Sequence, residues 1–176
     1  MSISGANSMR IALICGALFA NAGAQAATQT ATSKVVTLRP ITLVNSTALD
    51  FGSVVPGVTN GTVTINSRTG VRTRTVVTLV GSTFSRARFV AAGTIGRVVT
   101  LTVNAPTITL ISGANTMAIN TLRVSANGGA VRTFGQNYTI PASGTINFDV
   151  GGRLNVTANK PAGLYNGTFA LTLNYQ

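Results

Sequence analysis

The sequence has no histidine, no tryptophan, one cysteine (Cys15), and only two carboxylates, Asp50 and Asp149, in 176 residues. Each shortage removes a class of function. Without histidine the chain lacks the side chain that most often serves as a general base near neutral pH, and no Ser or Thr hydroxyl has an imidazole to activate it. A lysine-assisted serine fares no better. Lys34 lies in a polar lead and Lys160 in a turn before Pro161. Metal centres need several His, Cys, Asp or Glu ligands, and that set is missing. Asp50 (Leu-Asp-Phe-Gly) and Asp149 (Phe-Asp-Val-Gly-Gly) each sit between apolar residues at an expected strand end. There a carboxylate commonly accepts backbone N–H groups in a turn or cap. The expectation is a non-enzymatic chain with no cofactor and no metal. Aromatic residues are 6% of the total, too few for a base-stacking platform, so specific nucleic-acid recognition is not expected.

What is present points to β-structure. Thr and Val recur throughout, and both pack well on a pleated surface. Hydrophobic residues make up 45% and charged residues 9%, too apolar a balance for a disordered chain. The first segment, residues 1–26, reads as a secretory signal peptide. Arg10 gives a short positive region, Ile11 to Ala20 an apolar run, and Ala22-Gly-Ala or Ala24-Gln-Ala a small-x-small cleavage site. Asn21 ends the run short of the ~20 residues a spanning helix needs. The expected location is outside the cytoplasm: periplasm, cell surface or extracellular filament, with no transmembrane segment in the mature chain. Cleavage would remove the one cysteine and leave stability to packing and sheet hydrogen bonds.

Residues 27–38 read as an N-terminal extension and 39–176 as one domain. Strand patterns run over Leu49–Val55, Thr62–Ile65, Thr75–Val80, Arg86–Ala92, Val98–Val103, Ile108–Ile111, Met117–Val124, Thr145–Val150, Leu154–Ala158 and Tyr165–Tyr175. Turn residues fall between them, among them Asn60-Gly61, Asn127-Gly-Gly129 and Gly151-Gly152. Pro40 separates Val36 and Leu38 from the opposite alternation of Ile41 and Leu43. Short strands spaced by turns at about ten residues indicate an antiparallel sandwich or barrel. A transmembrane barrel fits less well, because the strands are short and the aromatics too few for two girdles.

Charge is the outlying quantity. Lys and Arg number 13 against the 2 acids, a formal net charge of +11. Arg72 and Arg74 share a face if strand-bound, as do Arg86 and Arg88, and Arg68 is near in sequence. Such a field attracts polyanions, acidic polysaccharide among them; a solvated, edge-protecting face is the plainer reading.

The terminal stretch Gly163 to Gln176 alternates Phe169, Leu171, Leu173 and Tyr175 with Ala170, Thr172 and Asn174. Gly163 stands fourteenth from the end and Tyr175 is penultimate. In this the chain resembles chaperone–usher pilin subunits, which end on such a strand with a penultimate Tyr. The resemblance implies an immunoglobulin-like sandwich without its last strand. It implies completion by another subunit's N-terminal extension, a homo-polymer or other pilin-like partners, and a periplasmic chaperone. The edge to be completed would then carry Gly163, Tyr165, Phe169, Leu171, Leu173 and Tyr175, and the donor would include Val35, Val36 or Leu38. Five further segments, Pro40-Ile-Thr-Leu, Leu49-Asp-Phe-Gly-Ser-Val-Val-Pro-Gly, Gly61-Thr-Val-Thr-Ile, Val150-Gly-Gly-Arg-Leu-Asn-Val and Gly163-Leu-Tyr-Asn-Gly-Thr-Phe, together resemble the bacterial secreted family called domain of unknown function 4402. That resemblance implies a surface or filament role. The rival function is a self-complemented monomer that binds anionic glycans through Arg68, Arg72, Arg74, Arg86 and Arg88.

Overall fold

The computed structural model describes residues 28–176. The signal-peptide reading, with Arg10 and Cys15, lies outside those residues. Residues 28–36 form no strand or helix. From residue 37 onward the chain is an all-β antiparallel sandwich of thirteen strands.

The larger sheet is organised around one long strand, β12 (Thr145–Val156). Along one edge its first half pairs with β6 (Ala87–Ala92) and its second half with β3 (Gly61–Ile65). Along its other edge runs β9 (Asn115–Ala126). Outward from these lie β1 (Thr42–Thr47) on β6, β4 (Arg72–Thr75) on β3, and β8 (Ile108–Ser112) and β10 (Val131–Arg132) on β9. The smaller sheet has the order β11 (Gln136–Thr139), β7 (Val98–Val103), β13 (Leu171–Tyr175). A separate ribbon joins β2 (Ser53–Val55) to β5 (Thr78–Val80). The two sheets meet over one apolar core. Phe148 (β12) meets Tyr138 (β11) edge-to-face at 5.1 Å, and Phe89 (β6) meets Phe169, just ahead of β13, at 6.0 Å. Buried residues alternate with half-buried or exposed ones on β3 and β6, as a sheet with one wetter face requires.

Strands β10, β11 and most of β4 lie outside the expected patterns, and at three further places the chain departs from the sequence reading. Gly151-Gly152 is not a turn but the middle of β12. The strand passes beneath the segment following β3, and a Cβ on Gly151 would lie 2.1 Å from the Ile65 carbonyl oxygen and 2.7 Å from Ser67 N. Two small residues let a strand continue where a turn seemed required. The pairing with β9 slips by one residue there, the extra residue being on β9, where Thr121 takes φ 54°, a β-bulge. The expected strand Thr75–Val80 is cut in two by a tight turn. Val76 takes φ 65°, and Val77 N–H donates to the Thr75 carbonyl at 2.7 Å. This three-residue γ-turn is the strained kind. Its result is that Val77 enters the core fully buried while β5 departs to pair with β2. The terminal strand begins at Leu171, not Tyr165. Asn166 is still bridged to Ile111 of the larger sheet, and Ala170 is the first residue bonded to the β7 side. The chain crosses between sheets over residues 167–169.

Candidate functional site

The register of β13 on β7 decides which of its backbone groups are free. Asn104 N–H donates to the Ala170 carbonyl at 3.0 Å, and Gln176 N–H to the Val98 carbonyl at 3.0 Å. In an antiparallel pair bonded and non-bonded positions alternate. Thr172 and Asn174 therefore turn their backbone groups toward β7, opposite Thr102 and Thr100. Leu171, Leu173 and Tyr175 turn theirs away, along an edge on which no strand pairs among the described residues. Their side chains alternate in step with this and point inward. Leu173 is buried, and Phe169, Leu171 and Tyr175 are half-buried against the core.

Several other strand edges carry guards. β4 carries Arg72 and Arg74, β10 carries Arg132, the pairing of β1 with β6 is broken between Asn45 and Thr47, and β8 is met by Asn166. Charged side chains, prolines and bulges are the usual means of closing a sheet edge to further pairing. The segment Leu171-Thr-Leu-Asn-Tyr has no charged residue and no proline, and its register with β7 is unbroken.

Tyr175 fixes one end of this edge. Its hydroxyl accepts from Thr94 N–H at 2.8 Å and donates to the Arg39 carbonyl at 2.9 Å, while Arg39 N–H donates to Thr94 Oγ1 at 2.7 Å. Gly93 makes room for it, since a Cβ there would fall 2.6 Å from that hydroxyl. The knot ties the chain entering β1 to the end of β13. Of the donor residues, Leu38 directly precedes the tied Arg39 and so belongs to the domain's own entry. Val35 and Val36 lie ahead of it and are exposed. Gly163 and Tyr165 stand apart from the free edge. Gly163 packs its backbone against Ser112 at the end of β8, and the Tyr165 hydroxyl donates to the Pro161 carbonyl at 2.9 Å.

The arginines divide into two groups. Arg72 and Arg74 do share a face, as their spacing implies, but it is the inner one: they pair with buried Ile65 and Val63. At the rim they donate to carbonyls. Arg72 reaches those of Phe51 (2.9 Å) and Gly81 (2.8 Å) and lies 4.4 Å over the Phe84 ring. Arg74 reaches that of Val77 at 2.7 Å. Arg86 and Arg88 converge on Asp149, at 3.3 and 2.8 Å. Arg86 also donates to the Ser67 carbonyl at 3.1 Å and to that of Arg68. The hydrogen bond to Asp149, and its charge, hold the Arg88 guanidinium above its ordinary pKa. Of the five, Arg68 alone has an exposed side chain with no internal partner among the described residues.

The two carboxylates fall differently. Asp50 accepts Gly52 N–H at 2.7 Å, the turn role read from sequence. Asp149 is no cap: it is mid-strand, 4% exposed, and held by two guanidinium groups. It is the buried ionic group that sequence reasoning missed. The only sequence signal was its alternation between inward Phe148 and Val150, which places it on the opposite face, across from Arg88 and Ser125. No cluster of three His, Cys, Asp or Glu suited to a metal occurs among the described residues.

No curated protein and no solved structure matches the chain. A family model does, over residues 41–175, which takes in every strand just described. The chain belongs to the family described as a domain of unknown function, DUF4402.

Proposed function

We propose that this protein is a secreted structural subunit of a cell-surface filament, completed by a strand donated from another molecule. The observation that carries the reading is the free edge of β13. Leu171, Leu173 and Tyr175 offer unpaired N–H and C=O groups beside half-buried apolar side chains, on an edge without the usual guards. Adding a strand there would satisfy the backbone and cover Phe169 and Leu171 at once, which is how β-augmentation gains both affinity and register. The resemblance to pilin subunits supports the same reading, as does the lack of a catalytic set. The donor lies ahead of Arg39, with Val35 and Val36 as its apolar residues.

The test is assembly of a chain lacking residues 25–38, followed by electron microscopy and sedimentation. Loss of filaments with the domain still folded is the expected result. Filaments as abundant as those of the complete chain would show that no strand is donated from this segment.

A further inference from the structure

We propose that the outer face of the larger sheet around Arg153 binds a linear acidic polysaccharide. This proposal does not depend on strand donation. Arg153 on β12 lies across from Thr64 on β3 and Asn120 on β9, so its side chain projects from the outer face, opposite buried Leu154. It is exposed and makes no ion pair or hydrogen bond among the described residues. Beside it is a shallow concavity of about 500 Å³, lined by Thr62, Thr64, Thr73, Thr75, Arg74 and Arg153. The register sets the threonines in two directly opposed pairs, Thr62 with Thr75 and Thr64 with Thr73, the first with hydroxyl oxygens 3.0 Å apart.

Arg123 adds a second cation to the same face, paired opposite Gly151. Farther along the sheet, Arg86 and Arg88 share the single charge of Asp149 and leave an uncompensated positive charge of their own. The other carboxylate, Asp50, is turned to Gly52 N–H. The face is therefore cationic, rich in hydroxyls, and without a carboxylate around the concavity.

These features favour a polysaccharide over a nucleic acid. Guanidinium groups take carboxylates and sulfates in a bidentate fork, and threonine hydroxyls complement sugar hydroxyls. No aromatic side chain lines the concavity to stack on a base. The arginines that bind ligand are thus not the adjacent pairs conspicuous in the sequence. Arg72 and Arg74 are spent on carbonyls at the inner rim, whereas Arg153 and Arg123, thirty residues apart, share the outer face, Arg123 with one donor on its neighbour's Leu122 carbonyl at 3.1 Å and the rest of its guanidinium unpaired among the described residues.

The test compares R123Q/R153Q with the charge-matched variant R97Q/R132Q, using heparin as the sulfated probe and polygalacturonate as the carboxylated one. At low salt R123Q/R153Q is expected to bind roughly tenfold more weakly, with a shallower salt dependence, while R97Q/R132Q stays near the parent. Loss on heparin alone assigns the face to sulfate, and loss on both to either anion. Equal weakening by both variants would reduce the effect to net charge and overturn the proposal, as would no weakening by either. Tighter binding of single-stranded DNA with the same variant sensitivity would overturn the choice of polysaccharide.

Discussion

Replacing Leu171 with proline is expected to block assembly and cost the domain little stability, whereas the same change one residue on, at Thr172, is expected to destabilise the fold itself. The decisive difference between the two positions is which way the backbone faces. At Leu171 the N–H points to the open edge, so proline removes a donor that no strand of the domain uses. Prolines are tolerated at such edge positions. The folded state should lose only about 1 kcal/mol, from the trimmed half-buried side chain. At Thr172 the N–H is turned to Thr102 on β7, and proline there removes a ladder hydrogen bond and leaves its acceptor unpaired, which costs about 2 kcal/mol. Urea melts give the stabilities, and filament yield gives the assembly. Both variants assembling normally would mean that the β13 edge is not where a strand is added.

The second large effect is at Asp149. Changing it to alanine is expected to cost about 3 kcal/mol, because it removes the one counter-charge that two guanidinium groups share. The Arg86 side chain is 22% exposed and Arg88 47%, so Arg86 bears most of the loss. Arg86 also holds the Ser67 and Arg68 carbonyls where the chain crosses Gly151, so the crossing segment should loosen as well. The part carried by Arg86 should change little between 0.05 and 1 M salt, roughly a threefold or greater change in screening length, since screening acts weakly on a largely buried pair, while the smaller part carried by the half-exposed Arg88 should shrink. Denaturant melts at the two salt concentrations check both points. A loss below about 0.5 kcal/mol would place Asp149 among ordinary surface residues.

Much of this architecture was legible locally. The alternation of Phe169, Leu171, Leu173 and Tyr175 gives the inward face of β13 without any knowledge of its partner, and the Asn127-Gly-Gly turn needs only its own residues. What stayed hidden depended on distant chain. Arg72 and Arg74 were correctly placed on a common face, but whether that face is wet is set by their pairing with Ile65 and Val63. Gly151-Gly152 reads as a turn until Ile65 and Ser67 are known to pass over it. Val76 at φ 65° runs against the preference of a β-branched residue, so no propensity argument finds that break. β11 carries no strand pattern, because Tyr138 is the only apolar side chain among its four residues.

The same division holds for the site. Free backbone groups leave no mark in a sequence pattern. Only the bonds from Asn104 to Ala170 and from Gln176 to Val98 show that Leu171, Leu173 and Tyr175 face outward.

Those three amides also offer the most direct measurement. Hydrogen exchange at Leu171, Leu173 and Tyr175 should be fast in the isolated subunit, because edge amides meet water. It should slow by at least about tenfold on assembly, as new hydrogen bonds form, while Thr172 and Asn174, already bonded to β7, stay slow in both states. Filaments in which the three amides remain as fast as in the isolated subunit would contradict strand addition at β13.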